Sequence, residues 1–293
     1  MKAYQLGFKK MQKPDLVHGN VLHNNMLFAV SLKRKYGIPF VISEHWSVFQ
    51  EQNHVKISKS ARFLAKKIAE KASFILPVTE NLILGLRKLG ITTPMKVVGN
   101  VVDTNLFSPK SEKSEKFTFL HISNLIALKN PEKIIKAAID LHQINPYFEL
   151  QIGGDGELKF LQKMIHLNNA ESYIKTFGML SLEQVSEKMN AANCFVLFSD
   201  YENQPCVILE SLASGISVIA TNVGGIHEIL DKNRGVLVGK NNEVELLEAM
   251  KNVLQKNVAL ESSESLRKYV IENFSKSVIA EKFSEIYKQV LVK

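Results

Sequence analysis

The sequence predicts an α/β protein of two domains, each built on a parallel sheet with helices on both faces. Three observations carry that prediction. Short apolar runs alternate with longer segments of helical period. The runs are apolar along their whole length, as strands covered on both faces require. A polar, charge-rich stretch near residue 110 then splits the series in two. With 293 residues the chain is long enough for two cores of ordinary size.

The elements follow in order. "PDLVH" (14–18) and "IPFVISEH" (38–45) read as strands, with a helix between them over "NNMLFAVSLKRKYG" (24–37). A helix over about 57–71, the strand "SFILPVT" (73–79), a helix closing at Gly90 and the run "MKVVGN" (95–100) complete the first series. These runs end in polar residues, where open parallel sheets place ligand contacts. "DTNLFSPKSEKSEK" (103–116) reads as the linker. The second series predicts strands at "FTFLHIS" (117–123), "YFELQIGG" (147–154), "YIKTFG" (173–178), "CFVLFS" (194–199), "ISVIAT" (216–221) and "GVLVG" (235–239). Helices fall between them: after Pro131, from about Glu157, over 182–192, over 205–214 and over 225–230. Beyond Asn241 the pattern is helical, with clear periods in "EVELLEAMKNVL" and "KSVIAEKFSEIYKQVL". The domains expected are therefore 1–107 and 108–275, with 276–293 a helix returning to the first.

Composition narrows the function classes. With 45% hydrophobic and 23% charged residues, the chain is neither disordered nor collagenous. A formal charge of +8, from 37 basic and 29 acidic residues, favours anionic partners, although most of such an excess is ordinarily solvated surface. Cys194 and Cys206 have no metal-site or disulfide-framework spacing, so a reducing compartment is expected. No apolar run approaches the roughly 20 residues that span a bilayer, and the start lacks a signal-peptide pattern. A cytoplasmic protein is expected, with peripheral contact at the inner face of the cell membrane as a further expectation. His18, His23, His45 and His54 lack zinc-ligand spacing, so no metal is expected. Scattered lysines without interleaved aromatics give no nucleic-acid signature.

The candidate site starts from "YENQPCVILESLASG" (201–215). Pro205 suits a first helical turn, which leaves Glu202 in the preceding loop and sets Glu210 about a turn and a half inside. The N–H groups of Gln204, Cys206 and Val207 would face the same cleft and suit a phosphate. A loop acid beside that phosphate can hold sugar hydroxyls, and a helix acid can hold a ribose diol.

The longer stretch "YENQPCVILESLASGISVIATNVGGIHEIL" closely resembles the nucleotide-sugar-binding motif of retaining GT-B glycosyltransferases of family 4, the glycosyl transferases group 1. Glu202 and Glu210, followed by Gly215, Val218, Thr221, Gly224, Gly225 and Glu228, match its pattern. "HISNLIALKN" (121–130) looks like the family's phosphate loop, with Lys129 at the diphosphate lysine. "IGGDGELKFL" (152–161) resembles its glycine-rich turn, "VVGNVVDTNLFSP" (97–109) its linker, "FGML" (177–180) its base-binding region and "ISEHW" (42–46) an acceptor-domain strand end with a histidine.

The resemblance implies a GT-B fold of two Rossmann-like domains, the N-terminal one truncated. It implies His45, Lys129 and Glu202 as catalytic residues; Glu44 is expected either to orient His45 or to lie at the surface. The implied donor-binding residues are Gly153, Gly154, Met179, Gln204, Pro205, Cys206, Val207 and Glu210. A sugar would pass from a nucleoside diphosphate sugar to a glycan or lipid-linked hydroxyl acceptor in cell-envelope biosynthesis, with no obligatory metal or other cofactor. Asn124 stands where the family usually has an arginine, which leaves Lys129, the helix amides or a residue elsewhere, such as Arg62 or Arg234, to compensate for that charge. The alternative is a fragment: a catalytically impaired nucleotide-sugar-binding module, or one that relies on a partner chain for the missing N-terminal elements.

Overall fold

The computed structural model describes residue 7 and residues 12–109 and 115–292. Part of the predicted linker, 110–114, and the first strand's upstream segment lie outside the described residues. The chain divides into two compact units, one formed by Met1–Asn100 with Ile279–Lys293 and the other by Val101–Val278. The division falls earlier than the 107/108 expected from the sequence because Val102 and Phe107 are buried in the second unit's core.

In the first unit, β1 (Val17–Asn20), β2 (Phe40–Glu44) and β3 (Phe74–Pro77) form a parallel sheet in the order β1-β2-β3. Helices α1 (Leu27–Tyr36), α2 (Lys59–Ala69) and α3 (Glu80–Lys88) connect and cover them. Strand alternation divides the side chains between two faces. Phe40, Ile42 and Ile75 enter a core with Ile68, Leu82 and Leu86. Val41 and Leu76 face the other way, toward Ile279, Ile286 and Val290 of the last helix, α11 (Lys276–Leu291). Because both faces are covered, β2 is buried at every position.

Two readings of this unit need correction. The first strand is Val17–Asn20, not 14–18. The run 95–100 is not a regular strand: only Met95 bridges to Ile75, while Val98 N–H donates to the Pro77 carbonyl. Proline has no N–H to return, so the ladder along β3 cannot continue there.

In the second unit, β4 (Phe117–Ser123), β5 (Phe148–Gly154), β6 (Ile174–Phe177), β7 (Cys194–Leu197), β8 (Ser217–Thr221) and β9 (Gly235–Val238) form one sheet in the order β6-β5-β4-β7-β8-β9. Every pairing in it is parallel. One face packs under α4 (Pro131–Ile144), α5 (Leu158–Leu167) and α9 (Glu243–Leu254), through residues such as Ile135, Leu161 and Met250. The other packs under α6 (Leu182–Ala191), α7 (Cys206–Ala213), α8 (Ile226–Ile229) and α10 (Ser263–Phe274), through Met189, Leu209, Ile229 and Val270. Along β7 the side chains divide accordingly: Cys194 and Val196 point to the first layer, Phe195 and Leu197 to the second. The chain leaves β4 toward β5 on one side and later returns to β7 on the other. That reversal opens a crevice at the carboxyl ends of β4 and β7.

Candidate donor site

The site of the second unit is built from three loops at that crevice. The loop after β4 carries Lys129 and Asn130, the loop after β7 carries Asp200 to Gln204, and the loop after β8 carries Gly224 and Gly225. They are laced together. Asn130 Nδ2 donates to the Phe198 carbonyl and to Asp200 Oδ1, each at 3.0 Å, and Asp200 N–H donates to the Leu128 carbonyl at 2.9 Å. Gly225 N–H donates to the Asn203 carbonyl at 3.1 Å. Asn130 takes φ +47°, a left-handed conformation asparagine tolerates better than most residues, and it opens α4 at Pro131.

Lys129 Nζ forms a short ion pair with Glu202 Oε1, and the two side chains are only 18% and 10% exposed. Around them Glu202, Asn203 and Gln204 are all buried. α7 begins at Cys206, with Pro205 as its N-cap rather than in its first turn. The N–H groups of Cys206 and Val207 therefore belong to the helix end that lacks acceptors of its own. Glu210, one turn further on, has its carboxyl pushed up to about 7 by burial. Desolvation first, then Glu210 and, to a lesser degree, Glu202 push the Cys206 thiol up to about 11.

The glycines of the turn after β5 have a packing reason. A Cβ on Gly153 would meet the Phe177 carbonyl oxygen at 2.0 Å, and one on Gly154, at φ +132°, would meet that of Ser123 at 1.9 Å. Bare backbone lets β4, β5 and β6 end together beside the Lys129 loop. Met179, in the turn between β6 and α6, is 76% exposed.

Sequence reasoning missed His121. It is fully buried on β4, and its Nδ1 lies 2.8 Å from the Val196 carbonyl, which can only accept, so Nδ1 carries the proton. Nε2 then accepts from the Ser123 hydroxyl at 2.8 Å, and Ser123 Oγ accepts from Leu125 N–H at 3.1 Å. Desolvation, above all, pulls the imidazole down to about 4, which keeps it neutral. The relay fixes the start of the Lys129 loop, where Leu125 adopts φ +47°. Only the sight of "HIS" inside an otherwise apolar strand pointed to it.

Each of the two arginines weighed against the charge missing at Asn124 has a partner close by in its own unit. Arg234 pairs with Asp231 at 2.8 Å and lies over the Tyr269 ring at 3.9 Å. Arg62 donates to the His54 carbonyl in the first unit.

His45 belongs to the first unit, just past the end of β2. Desolvation lowers its imidazole, opposed by a hydrogen bond to the Asn100 side chain. Glu44 is fully buried rather than at the surface. Its carboxylate accepts from the N–H of Leu22 at 2.6 Å, from that of Trp46 at 2.7 Å and from the backbone of His45 itself. Burial pushes it up to about 7 against those bonds.

Among the described residues no group of three or more His, Cys, Asp or Glu side chains could hold a metal ion, and no helix is long and apolar enough to cross a membrane.

The paired parallel-sheet units define the GT-B class of architecture. The structure of Anabaena Alr3699/HepE in complex with UDP superposes with a TM-score of 0.86, at 18% identity, over 98% of this chain and 81% of that one. The family model described as "Glycosyl transferases group 1" matches residues 103–273, and that described as "Glycosyltransferase Family 4" matches 3–106. The first match covers more than half of the chain, which therefore belongs to the glycosyl transferases group 1 family. The uncharacterized glycosyltransferase MJ1178 of Methanocaldococcus jannaschii is 27% identical over 290 residues, 96% of this chain and 77% of its own length. The UDP-Gal:alpha-D-GlcNAc-diphosphoundecaprenol alpha-1,3-galactosyltransferase of Escherichia coli is 24% identical over 97% of this chain and 77% of its own. Against two further relatives the chain spans 52% and 60% of their length.

Proposed function

We propose that the protein is a retaining glycosyltransferase that moves a hexosyl group from a nucleoside diphosphate sugar to a hydroxyl acceptor in glycan or cell-envelope synthesis. The observation that carries this reading is the sheltered Lys129–Glu202 pair at the crevice, with Glu210 on the helix that starts beside it. In the bound state the diphosphate takes over Lys129 and the first-turn N–H groups of α7. Glu202, released from the lysine, accepts hydrogen bonds from the hexose hydroxyls, and Glu210 accepts from the ribose diol. Gln204 and Pro205 shape the sugar pocket, and Met179 lies against the base. As the bond from the anomeric carbon to the phosphate oxygen breaks, negative charge grows on the leaving diphosphate, and fixed donors stabilise it without reorganisation. That same oxygen takes the acceptor's proton as the acceptor oxygen bonds to the sugar on the same face. Catalysis then rests on positioning and charge, with His45 a contact to the transferred sugar and no protein nucleophile. UDP in the names of the solved neighbour and the Escherichia coli relative favours a UDP-sugar donor.

Isothermal titration with UDP-, GDP- and ADP-hexoses, followed by proton NMR of the anomeric centre in the product, tests the reading. One donor should bind in the micromolar range and the product should keep the donor's anomeric configuration. An inverted product sinks the retaining mechanism. Binding without turnover on any lipid-linked or glycan acceptor shifts the reading to a donor-binding module that works with a partner.

A further inference from the structure

Helix α2 presents a face that the donor reading does not use. Stepping by about 100° per residue, its inner side carries Leu64, Ala65, Ile68 and Ala69, of which the last three are buried. The outer side brings together Lys59, Arg62, Phe63, Lys66 and Lys67. Phe63 is 65% exposed at the centre of those four cations, with Lys67 Nζ 5.8 Å from its ring centroid. Just before the helix, Val55 is 91% exposed beside Lys56. From residue 55 to 71 there are six basic residues and one acidic residue, Glu70, which pairs with Lys67 at 3.1 Å. Along the flank of the same helix an open pocket of about 360 Å³ is lined by Leu22, Trp46, Val48, Phe49, Ile57 and Leu64, with Lys56 also in its wall.

We infer that this outer face of α2, with the Val55–Lys56 turn, is a docking surface for an anionic lipid bilayer. An exposed phenylalanine and valine inside a cationic ring are what an interfacial contact needs: apolar groups that enter the acyl boundary and cations that stay at the headgroups. A purely solvated lysine face would not place Phe63 at its centre and Val55 at its edge. Nucleic acid would use the cations and would leave the pocket and the aliphatic Val55 without a role. The inference stands apart from the donor site, since none of these residues belongs to it.

Vesicle sedimentation tests the surface. The full chain should bind phosphatidylcholine vesicles containing phosphatidylglycerol at least tenfold more tightly than pure phosphatidylcholine vesicles, and more weakly as salt rises. At about fivefold per basic residue near an anionic surface, Lys59→Glu/Lys66→Glu should lose at least ~25-fold. Phe63→Ser, which leaves the charge intact, should lose about tenfold by removing the inserted ring. Equal binding to both vesicle types, or wild-type binding by the charge-reversed variant, overturns the inference. So does a Phe63→Ser variant that binds as wild type while a short DNA duplex competes for the cations. Nucleotide-sugar titration of the same variants should match the parent. Failure of the parent to bind any nucleotide sugar would count against the proposed function and leave the vesicle result standing.

Discussion

At the scale of single residues, the site holds charges in places that cost stability. Lys129 and Glu202 shelter each other, so removing either one strands its partner out of water. Lys129→Ala and Glu202→Ala should each destabilise by about 1–3 kcal/mol, and the double variant by clearly less than their sum. A denaturant double-mutant cycle measures this; strict additivity would show that the pair contributes no coupling. Glu210 works in the opposite direction. Its folded pKa, about 7, lies above the ordinary 4.5, so the native state takes up a proton. That contribution is complete below about 4.5 and is lost as pH rises through about 7. Glu210→Gln should therefore gain about 1–2 kcal/mol over the parent at pH 8 and nothing near pH 4.5, read from urea melts at the two values. The ionised carboxylate is the form that accepts a ribose diol, so donor affinity of the parent should rise from pH 6 to 8 with release of a proton. Cys206, exposed but held near 11, should react with iodoacetamide at pH 8 roughly a hundredfold more slowly than a free thiol, because the thiolate is the reactive form.

At the scale of elements, the loop after β4 depends on close backbone approach. Gly154→Ala places a methyl 1.9 Å from the Ser123 carbonyl oxygen at a φ that side chains rarely adopt. It should cost about 3 kcal/mol or more and weaken donor binding through the Lys129 loop, seen as a lowered Tm together with a raised donor Kd. Unchanged values of both would mean the strand ends can separate without consequence. Much of this level was legible from the sequence. Pro131, the "FTFLHIS" run and the glycine pairs mark boundaries by local chemistry, and α4, α6 and α9 begin where their caps or prolines predict. The edges that escaped depend on partners far along the chain. Pro77 prevents the 95–100 run from pairing as a strand, and His121 acquires meaning only when β7 brings the Val196 carbonyl to it. Glu44 likewise finds the Leu22 N–H only once β1 and β2 lie side by side. Arg234 looked available until the fold set it against Asp231 and over Tyr269.

At the scale of the molecule, each unit owes its stability to layers on both sides of its sheet. The first unit depends for one layer on α11, whose Ile279, Ile286 and Val290 cover Val41, Leu76 and Val98. His18 reinforces the contact, with Nε2 at 2.8 Å from the Ser43 hydroxyl and Nδ1 at 2.5 Å from that of Tyr287. Deleting residues 279–293 should uncover that face, so the shortened chain should bind a hydrophobic dye and lose the first unit's thermal transition while the second unit's persists. Two intact transitions would show that α11 is dispensable.

The dependence of the first unit on α11 also sets an order of events on the ribosome. The amino-terminal strands emerge early, yet the helix that seals one of their faces is translated only after every strand of the second unit. The later-made unit is thus able to settle first, while the earlier one waits half open for its lid. During that interval Val41 and Leu76 offer a bare apolar strip to any chaperone within reach.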